Sequence, residues 1–185
     1  GFPKGSGLPE KQGKYYCGVG ADRIFGRDLV EEHLQACIKA DLLIAGINAE
    51  VMPGQWEYQI GHGSPLIVAD DLIIARYLMN RIGEKYGVVA SLEPKPQEGD
   101  WNGAGAHTNF STKSMRENDQ GFSEILEKLH EHHDEHIKVY GSGIENRLTG
   151  KHETCPYTRF EWGISHRGAS IRIPWQVAAE GKGYL

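Results

Sequence analysis

Two glutamates flank a predicted tight turn in the first third of the chain. Pro53 and Gly54 suit the second and third positions of a β-turn, which predicts a hairpin centred on them. In the simplest register, Glu50 lies directly opposite Glu57. Carboxylates that face each other on one side of a sheet repel, and a divalent cation between them would remove the conflict. Oxygen ligands favour Mg²⁺ or Mn²⁺ over zinc, so the spacing predicts a site for one of these ions.

Two alternatives to this hairpin site stay open. Two-residue hairpins prefer primed turns, whereas Pro-Gly favours a type II turn, so a shifted register is possible. The two glutamates would also be explained as exposed side chains beside a surface turn, because most carboxylates in proteins are solvated.

A glycine-rich segment at 101–111 ends in a predicted strand. Strand alternation puts His107, Asn109 and Ser111 on one face. That face offers an imidazole, an amide and a hydroxyl in a row, which suits a ligand. The polar side of an ordinary amphipathic strand is the alternative.

The segment 141–153 has too many glycines and polar residues for a core element, which predicts a mobile loop. Arg147 would supply a planar fork for a carboxylate. Glu153 would act as a general base if closure of the loop excluded water. A solvated surface loop is the alternative.

Two arginines lie five positions apart near the end of the chain, Arg167 and Arg172. A regular strand would point them to opposite faces, so both serve one site only if Gly168 breaks the alternation. Paired guanidinium groups suit phosphate and carboxylate oxygens. Ordinary surface ion pairing is the alternative.

The residues His132 to His136 fit H-x-x-E-H, a zinc-protease pattern. A polar helix face rich in His and Glu produces this match easily. We therefore interpret it as a solvated or packed helix face rather than a zinc site.

Apolar periodicity predicts the elements that hold these residues. We expect a loop over the first twenty residues, a helix from 28 and a strand from 42 that leads into the hairpin. A second helix would start near Asp70 or Asp71 and end at Tyr86. We expect a strand at 88–92 and one long helix at 121–140. The predicted class is α+β, with a curved, mostly antiparallel sheet that carries the site on one face and helices on the other.

Composition narrows the class of protein. The chain has 185 residues, is 39% hydrophobic and has a net charge of −5. We expect a single domain without a basic field for nucleic acid. The three cysteines, an odd number without CxxC spacing, indicate reduced thiols. The apolar runs are too short to span a bilayer and no leader opens the chain, so we expect a cytoplasmic protein without a membrane partner.

Taken together, these segments resemble the glutamine synthetase family, in the type II form of eukaryotes and some bacteria. Each motif alone is weak, but together they span nearly the whole chain in the family's order. The matching segments are 15–22, 48–57, 94–96, 100–112, 147–154 and 166–174.

The resemblance implies roles for individual residues. The implied metal ligands, for Mg²⁺ or Mn²⁺, are Glu50, Glu57 and His107. The implied glutamate-binding residues are Asn102, Gly103, Arg147 and Arg167. The implied ATP side consists of 57–62 with Asn109, Ser111, Arg167, Arg172 and Tyr184. The implied catalytic residues are Glu153, Arg172 and Arg167.

The resemblance also implies a reaction and an assembly. The reaction is the ATP-dependent condensation of L-glutamate with ammonia through a γ-glutamyl phosphate. The assembly is a homo-oligomeric ring of two stacked pentamers. Neither follows from spacing or composition. The other interpretations are a related ligase that joins glutamate to an amine, and a non-catalytic structural module of the same fold.

The resemblance further implies parts that these 185 residues do not contain. The family has an N-terminal β-grasp domain and a Glu-x-Glu metal strand, and an acidic, Arg-containing segment follows the Gly-Tyr pair. We therefore expect residues 1–185 to be a portion of the catalytic domain that is inactive alone.

Overall fold

A computed structural model describes residues 15–117 and 121–185 of the chain. The chain forms two compact units, Gly1–Ser91 and Leu92–Leu185. The expectation of one catalytic domain over residues 1–185 stays a prediction. Of the loop predicted over the first twenty residues, 1–14 lie outside the described residues, and 15–20 contain turns without a regular element.

The first unit pairs two helices with a hairpin. In chain order its elements are α1 (Arg27–Lys39), β1 (Ile44–Ala49), β2 (Trp56–Ile60) and α2 (Pro65–Tyr86). The helix predicted from 28 is confirmed as α1. It buries Val30, His33 and Cys37, which lie at spacings of three and four residues and so share one side of the helix.

The second predicted helix is confirmed as α2, but it begins at Pro65 rather than near Asp70. Proline suits the first turn of a helix, where its missing N–H leaves no bond unmade. Asp71 has another use, because its carboxylate accepts a hydrogen bond of 2.8 Å from the Leu43 backbone N–H just before β1. The helix ends as predicted, with Gly87 in the left-handed conformation at φ 63°.

The strand predicted at 88–92 is wrong. No regular strand is assigned to these residues, and Val89 is 91% exposed. An apolar run of this length does not distinguish a strand from a loop unless it finds a pairing partner.

The second unit is built from short elements. They are α3 (Lys113–Glu117), α4 (Gly121–Glu131), α5 (His133–Val139), α6 (Ile144–Arg147), β3 (Trp162–Ile164), β4 (Ile171–Ile173) and α7 (Trp175–Glu180). The hydrophobic core of this unit joins α3, α4, β4, α7 and the last residue of the chain. Its buried members are Met115, Leu126, Ile173, Val177 and Leu185.

The long helix predicted at 121–140 is two helices. The break lies at His132, whose φ of −98° and ψ of 13° depart from helical values. Backbone bonds of 3.0 Å from His132 to Lys128 and from His136 to His132 still connect α4 to α5. Apolar periodicity continues across such a break, so the sequence pattern did not reveal it.

The predicted α+β class is confirmed. The described residues form two small sheets, an antiparallel pair of β1 with β2 and a parallel pair of β3 with β4. In the parallel pair Trp162 lies opposite Ile171 and Gly163 lies opposite Arg172. Within the described residues, no helix has the length and apolar character needed to cross a membrane.

Candidate active site

The predicted turn at Pro53-Gly54 is confirmed in the first unit. The Gln55 N–H donates to the Met52 carbonyl at 2.9 Å and Gly54 has φ 73°, which glycine adopts without strain. The Glu50 N–H then donates to the Gln55 carbonyl at 2.9 Å and fixes the register of the strands that follow.

The predicted register is wrong by two residues. Asn48, not Glu50, lies opposite Glu57. The loop between the strands is longer than predicted: the bond between Glu50 and Gln55 closes it, and the Met52–Gln55 turn lies inside it. A shift of two residues leaves each side chain on its original face, because the side-chain period of a strand is two. Glu50 and Glu57 therefore stay on one face as diagonal neighbours.

Two amide side chains connect the carboxylates on this face. Gln59 donates from Nε2 to Glu57 Oε1 at 2.6 Å and to Asn48 Oδ1 at 2.8 Å. Asn48 in turn donates from Nδ2 to Glu50 Oε1 at 3.3 Å. We call these four residues the acidic face. Sequence reasoning missed the role of Gln59, although alternation from Glu57 along β2 indicates its position.

The electrostatics of the acidic face fit a cation. Burial raises the pKa of Glu50, and the negative charge of Glu57 raises that pKa further. Hydrogen bonds from the Val51 N–H and from Asn48 act in the opposite direction. In the described residues no three His, Cys, Asp or Glu side chains form a metal-binding group. Two carboxylates still suit Mg²⁺, which commonly takes one or two from the protein and completes its shell with water and phosphate.

The opposite face of the hairpin packs on the helices. Tyr58 meets His33 of α1 edge to face, with ring centroids 5.2 Å apart. His33 is fully buried, and its Nε2 lies 2.9 Å from the Ala75 carbonyl of α2. Trp56 donates from Nε1 to the Phe25 carbonyl at 2.8 Å, and the Arg27 guanidinium lies over its ring at 5.1 Å. These contacts hold the hairpin through the face opposite the acidic face.

In the second unit, Arg147 lies in a cradle of glycine backbone. A Cβ on Gly103 would overlap the Pro94 carbonyl oxygen and lie 2.5 Å from Arg147 Cγ. A Cβ on Gly105 would lie 2.6 Å from Arg147 Cζ. The Ala104 N–H donates to the same Pro94 carbonyl at 2.9 Å and fixes this backbone. The cradle, defined as Pro94, Gly103, Ala104, Gly105 and Arg147, thus depends on two residues without side chains.

The cradle fixes a cation at the end of a short helix. Arg147 is the last residue of α6, so part of the segment predicted as a mobile loop is helical. Burial lowers the pKa of Arg147, but a guanidinium keeps its charge in proteins. Packing against the backbone restricts the long side chain, and its planar fork can then meet a carboxylate with little further loss of freedom.

Glu153 and Arg167, two predicted catalytic residues, form an ion pair. Glu153 Oε2 lies 3.0 Å from Arg167 Nη2, and the side chains are 52% and 61% exposed. Arg167 belongs to the turn in which the Ala169 N–H donates to the His166 carbonyl at 3.2 Å. This turn separates Arg167 from Arg172, which is half-buried in β4, so one strand alternation does not relate the two arginines.

The strand predicted at the end of the 101–111 segment is wrong, since residues 107–111 form no regular strand. His107 Nε2 lies 3.2 Å from Asn109 Oδ1, which fits the expected sharing of one side. Ser111 donates from Oγ to the Gly183 carbonyl at 2.6 Å. Phe110 and Leu185 exchange two backbone bonds of 3.1 Å, and the exposed Tyr184 lies between these anchors. Asn102 is half-buried.

The H-x-x-E-H residues contact one another and a nearby backbone. His132 Nδ1 lies 2.9 Å from Glu135 Oε2, and this hydrogen bond lowers the pKa of Glu135. The His132 and His136 rings are 6.5 Å apart. His133 Nε2 lies 2.9 Å from the Tyr157 carbonyl. These contacts match the interpretation of a polar helix face.

Comparison with known proteins decides the family. The family model described as the catalytic domain of glutamine synthetase matches residues 5–138. The chain belongs to the glutamine synthetase family. Every predicted metal and substrate residue up to Ser111 falls inside that match. The later ones, from Arg147 to Tyr184, fall in the part covered by individual relatives.

Whole-chain relatives extend the match to every residue. A glutamine synthetase of Streptomyces viridochromogenes is 60% identical over all of this chain and 54% of its own length. A cytosolic isozyme of Vitis vinifera is 56% identical over all of this chain and 52% of its own length. A chloroplastic glutamine synthetase of Chlamydomonas reinhardtii is also 56% identical, over 49% of its length. The chain thus spans about half the length of the curated relatives it matches.

Proposed function

We propose that the protein performs the glutamine synthetase reaction, in which ATP drives the joining of ammonia to L-glutamate. The observation that carries this proposal is the glycine cradle, which holds the Arg147 guanidinium half-buried against the Gly103 and Gly105 backbone. A cation restrained in this way suits the carboxylate of an amino acid substrate. Asn102 and Arg167 would complete the glutamate-binding set.

The acidic face would hold the divalent cation. Glu50 and Glu57 are proposed as ligands of Mg²⁺ or Mn²⁺, and His107 stays a predicted ligand from the second unit. When bound, the ion would neutralise phosphate oxygens of ATP. The raised pKa of Glu50 supports this role, because a cation beside the pair would favour its ionised form.

The nucleotide side would draw on the segment 57–62 and on polar residues of the second unit. Asn109 and Ser111 would contribute an amide and a hydroxyl, and Tyr184 would contribute a partly exposed aromatic ring. Arg172, with Arg167, would stabilise negative charge on the phosphoryl group during its transfer to the glutamate γ-carboxylate. The product of that transfer is γ-glutamyl phosphate, in which phosphate is a good leaving group.

Glu153 would serve the second half of the reaction. Ammonia attacks the acyl carbon, phosphate leaves, and the surplus proton on nitrogen passes to a Glu153 carboxylate oxygen. Glu153 must first separate from Arg167. The separation costs little, because an ion pair with both members this exposed contributes roughly 0–1 kcal/mol. Arg167 then becomes available for phosphate while Glu153 shields the acyl phosphate from water.

The same proposal includes a setting for this chain. We propose that the hairpin belongs to a larger curved and mostly antiparallel sheet, and that the protein works in the cytoplasm as a homo-oligomer of two pentameric rings. The cytosolic isozyme among its relatives supports the location. The expected substrates are ATP, L-glutamate and ammonia, with no nucleic acid or membrane partner.

Glutamate binding by this polypeptide tests the proposal directly, since a portion of the catalytic domain is expected to form no glutamine alone. Purified chain, ATP, Mg²⁺, L-glutamate and ammonium are mixed, and glutamine and phosphate are measured together. In parallel, calorimetry measures L-glutamate binding to the native chain and to Arg147→Lys, which keeps the charge but loses the planar fork. We expect glutamate binding that Arg147→Lys weakens at least tenfold. Glutamate binding that is equal in both proteins, or absent from both, would contradict the proposal.

Two further measurements separate the alternatives. A panel of small amines offered in place of ammonia would identify a related glutamate–amine ligase by faster product formation. A titration with Mn²⁺ that releases no heat, and that Glu50→Gln does not change, would indicate a non-catalytic module of the same fold.

A further inference from the structure

The loop that carries Glu153 has an unusual backbone. His152 and Glu153 are consecutive non-glycine residues with φ of 53° and 59°, in the left-handed region. Residues with a side chain rarely adopt this region, and two in succession are rarer. Contacts from outside the loop must therefore hold it in this shape.

The two residues make contacts with different parts of the second unit. Glu153 pairs with Arg167 as described above. His152 turns the other way, and its Nε2 lies 2.7 Å from Asp100 Oδ1, 52 positions earlier in the chain. The His152 side chain is 17% exposed, whereas that of Asp100 is 98% exposed. The largely buried His152 imidazole thus makes a hydrogen bond with a carboxylate at the surface.

The side-chain hydrogen bonds of Thr154 in this loop are local. Thr154 donates from Oγ1 to the Lys151 carbonyl at 2.7 Å and accepts from the Gly150 N–H at 3.3 Å. It also lies 3.2 Å from the Arg147 carbonyl at the start of the same segment. These bonds shape the turn but do not tie it to the segment around residue 100.

We propose that Asp100 and His152 are positioning residues, a pair that fixes the backbone of the 150–154 loop. Glu153 is then held beside Arg167 and leaves this ion pair by rotation of its side chain alone. The proposal rests on the catalytic role proposed above for Glu153. Asp100 stands two positions before Asn102 and three before Gly103, so the pair connects the glutamate-binding segment to the loop that carries the base. The Lys95 ammonium, which donates to the Trp101 carbonyl, steadies that segment.

The charges around Asp100 support a charge-assisted bond. The hydrogen bond and charge of His152 lower the pKa of Asp100, with smaller effects from Lys151 and Lys95. Asp100 is therefore ionised over the working range of pH and accepts a hydrogen bond at all times. His152 supplies the donor.

A double-mutant cycle tests the pair. Asp100→Asn, His152→Asn and the double variant are compared with the native chain, and Asn is chosen at 152 because it tolerates the left-handed backbone. Trypsin cleavage after Lys151 is timed by mass spectrometry. Each single variant should be cut about two to five times faster, the range expected from losing one partly exposed hydrogen bond. The double variant should be cut no faster than either single variant.

Controls keep the result specific to the pair. Glu98→Gln removes a nearby exposed charge from the same segment and should leave cleavage unchanged, while Asp100→Glu keeps a carboxylate and should restore slow cleavage. The Nε–H resonance of Arg167, followed by NMR, should move in Asp100→Asn and not in Glu98→Gln. The pair is refuted if Asp100→Asn has no effect, or has the same effect with and without His152, at an unchanged unfolding midpoint.

These measurements need no substrate, so they are independent of the proposed reaction. If the native chain makes glutamine, Asp100→Asn should lower kcat about two- to fivefold and leave the KM for glutamate within twofold, since the cradle is untouched. If Asp100→Asn formed glutamine with the native kcat and were cleaved at the native rate, the role of the pair would be refuted and the proposed reaction would be unaffected. A native chain that binds no glutamate would count against the reaction, while the cleavage cycle would still decide on the pair.

Discussion

The acidic face and the glycine cradle are two opposite ways of preparing a binding group. The acidic face brings two carboxylates together, with amide groups of Asn48 and Gln59 between them. The cradle takes one guanidinium and restricts it by packing against backbone that has no side chains. In the acidic face two negative charges repel each other. In the cradle a single guanidinium is held by close packing.

This difference indicates how each region should respond to change. Electrostatic conflict is relieved by a ligand of opposite charge or by removing one charge, so the acidic face should gain stability from either. A close-packed site has no comparable way to gain stability, because any added atom must displace a neighbouring group. A substitution in the cradle should therefore lower both the stability of the chain and its affinity for glutamate. Removal of a charge from the acidic face should instead raise stability and lower the affinity for the metal ion.

The largest effect should come from Gly103→Ala in the cradle. The added Cβ would overlap the Pro94 carbonyl oxygen, which is backbone and cannot move aside cheaply, as well as Arg147 Cγ. We expect a loss of about 1–3 kcal/mol in the free energy of unfolding, the usual cost of overpacking. Glutamate affinity should fall in parallel. Urea denaturation and calorimetry measure the two.

Gly168→Ala is a matched control for this substitution. A Cβ there meets only His166 Nε2 at an ordinary 3.5 Å. Its unfolding free energy should stay within about 0.5 kcal/mol of the native value, as for most surface changes. Equal stability of the two alanine variants would show that the cradle does not fit tightly around Arg147.

The next effect should be on metal affinity at the acidic face. Glu57→Gln keeps the shape of the side chain and removes one of two negative charges. Apparent Mn²⁺ affinity by calorimetry should fall about tenfold or more, by analogy with losses measured at metal sites. Asp22→Asn, at an exposed carboxylate of the same unit, should leave the affinity unchanged. An equal response of both variants would mean that Mn²⁺ binds the surface charge in general.

The comparison also separates what the sequence could predict from what it could not. Glu50 and Glu57 were expected on one face, and they are, although the pairing register is wrong. The prediction of a shared face holds because a register shift of two residues leaves every side chain on the same face. The shift itself depends on the number of residues in the loop between the strands. Pro-Gly identifies the turn but does not fix that number.

The cradle was harder to foresee. The sequence indicated glycines that allow close approach and an arginine that could clamp a carboxylate, but about forty residues separate Gly105 from Arg147. Nothing in local pattern says that the approaching group is Arg147 rather than a ligand. The same holds for Asp100 with His152. Contacts between distant segments follow from tertiary packing, whereas periodicity reports only neighbours along one element.

A smaller effect concerns pH and the helices under the hairpin. Burial lowers the pKa of His33, so the unfolded chain takes up a proton more readily than the folded chain. Stability should then fall as pH drops below the unfolded value near 6.5, by at most about 1.4 kcal/mol per pH unit for one proton. His33→Gln, which keeps a donor for the Ala75 carbonyl, should flatten this part of the curve. His62→Gln, at an exposed histidine of the same unit, should not.

The smallest expected effect is the change in stability caused by Glu50→Gln in the acidic face. It separates the two regions most clearly, because this substitution should stabilise the chain whereas one in the cradle should destabilise it. The pKa of Glu50 is raised in the folded state, so the folded chain binds its proton more tightly than the unfolded chain, and this contribution is lost as pH rises above 4.5. Glu50→Gln should therefore raise the free energy of unfolding at pH 7 by about 0.5 kcal/mol, the usual size of a side-chain contact between neighbouring strands. The gain should vanish near pH 4. Added Mg²⁺ should stabilise the native chain more than the variant. If Glu50→Gln instead destabilised the chain at pH 7 without metal, the two carboxylates would not repel each other.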